Sequence, residues 1–333
     1  MANVGAAALR AARVGAGLVA VVGGAGALIV RRQAAAVKIV ERTDLDAAME
    51  PPSNVVHHSF ATSDGGSVHV VEMGTMDQPV VVLLHGITNQ WWMWSSVMRL
   101  LAPHYRVFSW DMRGFGASRA GKRGVALDAA AEDLSLLLEH FDLHQAVIVG
   151  HSMGGMVLGR FAVDFPVHLR SRVSGLVFLG TTANSMDGTI ATGGLVRLSR
   201  SMAKLARRGV SSASYSWKDN DLSIVLLRGG FGRTATAKMV DDVRRCQAET
   251  LEASAVEGTE SIGAHNVLES LRTVTVPTAI VVGSDDRLTP PLHSYALQRA
   301  MPHAVVTELP GIGHNVMQEK PEAVANAVRS LAR

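Results

Sequence analysis

Runs of consecutive apolar residues recur along the chain, each of strand length: VVVLL (80–84), RVFSW (106–110), AVIVG (146–150), VSGLVFLG (173–180), TAIVVG (278–283) and AVVTEL (304–309). A strand with one wet face alternates apolar and polar side chains, so near-continuous runs mark strands covered on both faces. The stretches between them carry helical spacing. The clearest, LDAAAEDLSLLLEHF (127–141), has apolar residues at three- and four-residue intervals and acids towards its beginning. Buried strands alternating with helices predict a doubly wound, mostly parallel α/β sheet. Ahead of it, VVHHSFATSDGGSVHVVEMG (55–74) sets Asp-Gly-Gly between two alternating runs, which predicts a hairpin at the sheet's leading edge.

The rhythm breaks between Gly180 and Arg272, where no buried strand pattern occurs over about ninety residues. Such an excursion is too long for a loop and predicts an inserted helical cap with its own packing. The expected organisation is an N-terminal apolar segment over 1–50, a first part of the core over 51–182, the cap over 183–271 and a second part of the core over 272–333.

Residues 14–30 are seventeen uncharged residues between Arg13 and Arg31-Arg32. As a helix they span about 26 Å, a little less than the ~30 Å hydrocarbon core, and their glycines weaken helicity. The segment is a candidate membrane anchor. A processed signal, a loose tail and a helix docked on the body are the alternatives, and Arg31-Arg32 ahead of Ala34-Ala35-Ala36 argues against the signal. Flanking basic residues lean towards a cytoplasmic body, so the expected location is membrane-associated or cytoplasmic. Composition adds exclusions. Lys and Arg number 32 against 29 for Asp and Glu, with no cationic block, so nucleic acid is not an expected partner. The single cysteine, Cys246, offers neither an internal disulfide nor a CxxC site.

Chemistry enters at VGHSMGG (149–155). Gly150-x-Ser152-x-Gly154 fits a nucleophile elbow, in which a strand turns sharply into a helix and small neighbours relieve the crowding around an exposed hydroxyl. The local alternative is a serine helix cap. A hydroxyl is a weak nucleophile at neutral pH without a base, and the base needs an acceptor to fix its tautomer. His314 in PGIGHN (310–315) follows the last strand, and Asp286 in GSDDRLTP (283–290) follows the one before, giving the chain order Ser, Asp, His. Asp285 is the adjacent alternative acid and Asp187 a remoter one. The backbone N–H groups of Ile87, at the end of VVVLL, and of Met153 are the expected oxyanion donors. His85 and His151 read as supports for these loops rather than catalysts.

LLHG (83–86), DMRGFGAS (111–118), VGHSMGG, VGSDDRLTP (282–290) and PGIGHNVMQEKPEAV (310–324) together resemble the α/β-hydrolase fold superfamily, specifically its cap-bearing serine esterases and lipases, over about residues 55–333. The resemblance implies Ser152 as nucleophile, Asp286 as acid, His314 as base, structural roles for Asp111 and Arg113, and no metal or organic cofactor. The family's haloalkane dehalogenases and epoxide hydrolases use a carboxylate where Ser152 stands. Its carbon–carbon hydrolases use Ser but carry a Gly-Pro-Gly-like stretch where this chain has HGITNQWWMW (85–94). Substrate class falls to the cap and to Trp91, Trp92 and Trp94, of which one or two would line an acyl pocket and Trp94 would pack in the core. GLVRLSRSMAKLARRG (194–209) is a basic amphipathic pattern suited to an anionic membrane or to an ordinary solvated face. The expected function is hydrolysis of carboxylic esters, lipid-like or medium-chain, through an acyl-enzyme. The alternatives are a carbon–carbon hydrolase, a cofactor-free haloperoxidase or perhydrolase, and a non-catalytic hydrolase-fold binding protein.

Overall fold

The apolar runs become strands, and their alternate residues feed two separate cores. In the computed structural model, which describes residues 28–29, 31–184 and 221–332, the strands are β1 (Val56–Ala61), β2 (Ser67–Met73), β3 (Val80–Leu84), β4 (Arg106–Asp111), β5 (Ala146–His151), β6 (Val173–Leu179), β7 (Thr278–Gly283) and β8 (Val305–Leu309). They form one sheet in the order β1-β2-β4-β3-β5-β6-β7-β8. The β1–β2 hairpin is antiparallel and pairs antiparallel with β4, and every other pairing is parallel. Val82, Leu84 and Ile148 point into one apolar cluster, while Val81, Leu83, Val147 and Val149 point into the other. Covering both faces removes the strands' apolar area from water, at about 25 cal/mol per Å². The sheet is doubly wound, as the pattern predicts.

One strand departs from that pattern. β8 pairs only with β7, and Val305 is 66% exposed. Thr307 and Glu308 interrupt its apolar run, which suits an edge position rather than a buried one.

The chain passes from β3 to β4 on one side and then returns to β5 on the other, so β3 and β5 are neighbours with the winding reversed between them. In open α/β sheets a crevice forms at the carboxyl ends of the strands at such a switch point. The register pairs Leu84 with Gly150, which brings the His85-Gly86-Ile87 and Ser152 turns together.

Between β6 and β7 the described residues form the helices Asp221–Arg228, Ala237–Glu249 and Glu252–Gly263, with no strand among them. Thr236 starts the second by accepting a hydrogen bond from Met239 N–H at 3.3 Å. That helix buries Met239, Val240, Val243 and Cys246 in the same cluster as Trp91, Trp92 and Trp94. The amphipathic stretch 194–209 lies outside the described residues, as does 14–30 apart from Leu28 and Ile29. Among the described residues no helix is long and apolar enough to cross a membrane.

Residues 31–50 do not stand apart from the body. Lys38 pairs with Asp221 at 3.0 Å, Ala237 N–H donates to Val40 O at 2.8 Å, Thr236 Oγ–H donates to Asp46 at 2.7 Å, and Lys238 pairs with Glu50 at 2.9 Å. Met49 is buried in the second core. This part of the N-terminal segment is a strap laid across the insertion.

Candidate active site

At the end of β5 the chain turns from strand to the helix Met153–Asp164 at a single residue, and Ser152 takes φ 53° and ψ −119°. Positive φ is uncommon for a residue with a Cβ and persists where the surroundings over-determine it. Ser152 N–H donates to Leu179 O of β6 at 3.0 Å, and Thr181 Oγ–H donates to Ser152 O at 2.6 Å. The glycines are needed for contact. A Cβ on Gly154 would lie 2.4 Å from Leu84 O, and one on Gly150 would lie 2.5 Å from Gly154 O. Ser152 makes no side-chain cap to its own helix, so the alternative of a plain serine cap does not describe it.

Asp286 and His314 come from the loops after β7 and β8. His314 Nδ1–H donates to Asp286 Oδ2 at 2.9 Å, with both side chains almost wholly buried. Asp286 also accepts from Leu288 N–H at 2.8 Å, Thr289 N–H at 2.9 Å and Thr289 Oγ–H at 2.8 Å. Burial alone would raise its pKa, but the facing imidazole and the donated hydrogen bonds outweigh burial and hold the carboxyl below its ordinary range. Asp285 faces outward, with an ion pair to Arg233 at 3.5 Å. Asp187 lies outside the described residues.

The end of β6 joins these parts. Gly180, at φ 48°, follows Leu179, and a Cβ there would lie 3.3 Å from both Asp286 Oδ2 and His314 O. Residues 179–181 thus touch Ser152 on one side and the Asp286–His314 pair on the other. The ring hydrogen bonds of His314 run through Nδ1, and Nε2 makes none with a described residue. Catalytic contacts often tighten only when substrate is bound.

The two supporting histidines are neutral. His151 Nε2–H donates to His314 O at 2.9 Å, and burial, then the neighbouring His314 imidazole, push its pKa down to about 3. His85 Nδ1–H donates to Gly86 O at 2.6 Å while Nε2 accepts from Met112 N–H at 2.9 Å, and burial lowers its pKa too. Each therefore fixes a loop. Gly86 runs against the elbow, with a Cβ there 3.2 Å from Ser152 Cβ. Among the described residues neither Ile87 N–H nor Met153 N–H has a hydrogen-bond acceptor.

Asp111 and Arg113 are structural. Asp111 accepts from Trp91 N–H at 2.8 Å and Ala117 N–H at 3.0 Å. Arg113 is buried between Asp133 at 2.7 Å and Asp64 at 3.1 Å. Trp91, Trp92 and Trp94 are all buried in the second core, Trp94 completely. Sequence reasoning assigned no role to Thr289, Gly180, Thr181 or Glu319. Thr289 had a usable signal, since Asp followed three residues later by Thr is the spacing of a local side-chain turn. The others depend on contacts between distant loops. Among the described residues no group of His, Cys, Asp or Glu is arranged to hold a metal ion.

An eight-stranded, mostly parallel sheet with its elbow at the switch point and an Asp–His pair on the last two strand ends defines the α/β-hydrolase class. A sequence profile of the alpha/beta hydrolase fold matches residues 79–321, well over half of the chain, and the chain belongs to that family. It is 31% identical over 128 residues to epoxide hydrolase 4 of Mus musculus, covering 38% of this chain and 36% of that protein. It is 26% identical over 275 residues to the pimeloyl-[acyl-carrier protein] methyl ester esterase of Nitrosospira multiformis, covering 79% of this chain and 97% of that one. Among solved structures, an esterase from Exiguobacterium antarcticum aligns with a TM-score of 0.69 at 18% identity, over 83% of this chain and 98% of the other. The chain spans about a third of the length of the first curated relatives it matches.

Proposed function

We propose that this protein is a serine hydrolase of carboxylic esters. The observation that carries the proposal is Ser152 held at φ 53° beside a buried Asp286–His314 pair, with Gly180 in contact with that pair. Ser152 Oγ attacks the ester carbonyl carbon while His314 Nε2 takes its proton. Asp286 keeps the other ring proton on Nδ1 and stabilises the imidazolium, as in other Ser-His-Asp sites. The oxygen that becomes negative accepts hydrogen bonds from Ile87 N–H and Met153 N–H. Collapse expels the alcohol, protonated by His314, and leaves an acyl group on Ser152. Water, deprotonated by the same imidazole, then releases the acid.

Support for ester chemistry also comes from the pimeloyl methyl ester esterase, whose alignment runs along most of both chains. The likeness to epoxide hydrolase 4 covers a shorter segment. Epoxide opening in this superfamily uses a carboxylate, and the elbow here carries Ser152. The insertion serves as a cap over the site. A preference for medium-chain or lipid-like acyl groups rests on the sequences of 14–30 and 194–209 alone, as does membrane attachment.

The test is p-nitrophenyl ester hydrolysis from acetate to palmitate by wild type and Ser152→Ala. The expected result is turnover by wild type, greatest at intermediate chain length, and loss of it in the variant. A folded wild type inert on every ester, or a variant equal to wild type, overturns the proposal and moves carbon–carbon cleavage, perhydrolysis or non-catalytic binding to the front.

A further inference from the structure

Outside the elbow and the Asp–His pair, Glu319 is a carboxylate buried as completely as Asp286 that makes no ion pair with a described residue. It is 2% exposed and follows His314 by five residues, in the short helix Val316–Glu319. Its Oε1 accepts from Gly313 N–H at 2.9 Å, and its Oε2 accepts from Gly232 N–H at 2.9 Å and Thr234 Oγ–H at 2.8 Å. One carboxylate therefore binds the residue before His314 and the 232–234 turn of the insertion together.

Other contacts close the same joint. His314 N–H donates to Gly230 O at 2.8 Å, and Arg233 N–H donates to Gly311 O at 2.8 Å. The two backbones touch so closely that a Cβ on Gly313 would lie 2.3 Å from Gly232 N, and one on Gly232 would lie 2.2 Å from Gly311 O. Side chains are excluded at Gly232 and Gly313, where main chain meets main chain, and Glu319 with Thr234 ties the two segments beside that contact. The His314 backbone is thus gripped at its N–H by the insertion, at its O by His151, and at the preceding peptide by Glu319.

We propose that Glu319 is a positioning residue for His314, tying the base loop to the 230–234 segment of the insertion so that the imidazole is aimed at Ser152 only while the insertion is seated. The inference rests on His314 being the base, as proposed above. A buried carboxylate with no cation in direct contact is costly unless its lone pairs are used, and here the donors come from the two segments whose relative position sets the base. Glutamine in its place keeps the shape but turns an NH2 group towards one of those donors, which loosens the joint without emptying it.

The experiment uses the full chain as wild type, Glu319→Gln, Thr234→Val and Ser152→Ala. With a p-nitrophenyl ester, Glu319→Gln lowers kcat about tenfold with KM within about twofold, since small misplacements of a base act on the chemical step. The acid limb of its kcat/KM profile shifts, and phosphonylation of Ser152 by a fluorophosphonate slows in proportion to kcat. Thr234→Val, which removes one of the three donors, gives a change of about threefold in the same direction. The His314 ring titration, followed by histidine NMR and assigned with His314→Gln, moves in both variants and needs no substrate. Lowered melting temperature with unchanged kcat, pH limb and ring titration at temperatures where the variants are folded overturns the inference, leaving Glu319 a structural residue. If Glu319→Gln does not fold, an unchanged Thr234→Val overturns it equally. If wild type hydrolyses no ester and Ser152 takes no fluorophosphonate, the serine-hydrolase proposal fails, and the ring titration still decides the coupling.

Discussion

Two aspartate–histidine pairs in this protein have almost the same geometry and very different surroundings. His314 Nδ1 meets Asp286 Oδ2 at 2.9 Å, and His69 Nδ1 meets Asp111 Oδ2 at 2.8 Å, each acid buried and each accepting further backbone donors. His69 lies within β2 of the leading-edge hairpin, opposite Asp111 of β4 in the ladder, and its other nitrogen is taken by His57 Nδ1 at 2.9 Å, with the two rings stacked at 5.2 Å. His314 lies on a loop beyond the last strand, and its other nitrogen makes no hydrogen bond with a described residue. An Asp–His pair is a common way to satisfy a buried carboxylate. It becomes machinery only where the far side of the ring meets a group it can deprotonate.

Activity separates the two pairs most sharply. Ser152→Ala and His314→Ala are each expected to lower kcat for an ester about 10⁴-fold or more, and Asp286→Asn by about 10³- to 10⁴-fold, because the acid fixes the tautomer. His69→Gln and His57→Ala should leave kcat within about twofold and act, if at all, on the melting temperature of the hairpin edge. Steady-state kinetics on the same ester decides, and a large loss in His69→Gln would make the second pair part of the chemistry.

A smaller effect concerns the elbow that gives one pair its target. Gly154→Ala places a methyl group against Leu84 O, inside any attainable contact. Loss of about 1–3 kcal/mol in urea unfolding is expected, the range for overpacking a close-packed site. Unchanged stability would mean that the turn is slack.

The acids also separate by pH. Asp286 has its folded pKa lowered, so the stability it contributes is present above the ordinary carboxyl range and is lost as pH falls through it. Asp242 in the insertion is the reverse case. Lys238 at 3.0 Å is its ion-pair partner and Oδ2 is buried with none, and burial raises its pKa from 3.8 to about 6 in spite of Lys238. A raised folded pKa means that the native state holds the extra proton, so stability falls as pH rises from about 4 to about 6. Melting temperatures of wild type and Asp242→Asn across that interval should show a decline in the first that is flattened in the second. Parallel curves would remove Asp242 as the cause.

The smallest effect contrasts the two nucleophiles. Cys246 is fully buried and its thiol pKa is raised by burial, then by nearby acids, so a thiol reagent should label native protein far more slowly than unfolded protein. Fluorophosphonate, by comparison, should reach Ser152 in the native state.

Local pattern was enough for much of this. Continuous apolar runs can be buried only between two layers, which five of the six runs obey, while AVVTEL, expected to be covered on both faces, is the edge strand β8. Gly150, Ser152 and Gly154 are legible because the turn's crowding is a property of the residues themselves, and Asp286 and His314 because strand ends on the carboxyl edge follow from the winding. Contacts between segments far apart in sequence carry no such signature. Gly180 against the Asp–His pair, Thr181 on the Ser152 carbonyl, the strap 31–50 across the insertion and Glu319 between Gly313 and Gly232 each depend on where two loops meet. Local pattern therefore specified which elements form and that they wind into a mostly parallel sheet, since burial and backbone sterics act over a few residues, whereas the strand order came from the structure. The contacts that hold the Asp286–His314 pair, from Gly180 at the end of β6 and from Glu319 at Gly313, emerged only in the tertiary structure, because they depend on the distance between loops far apart in the chain.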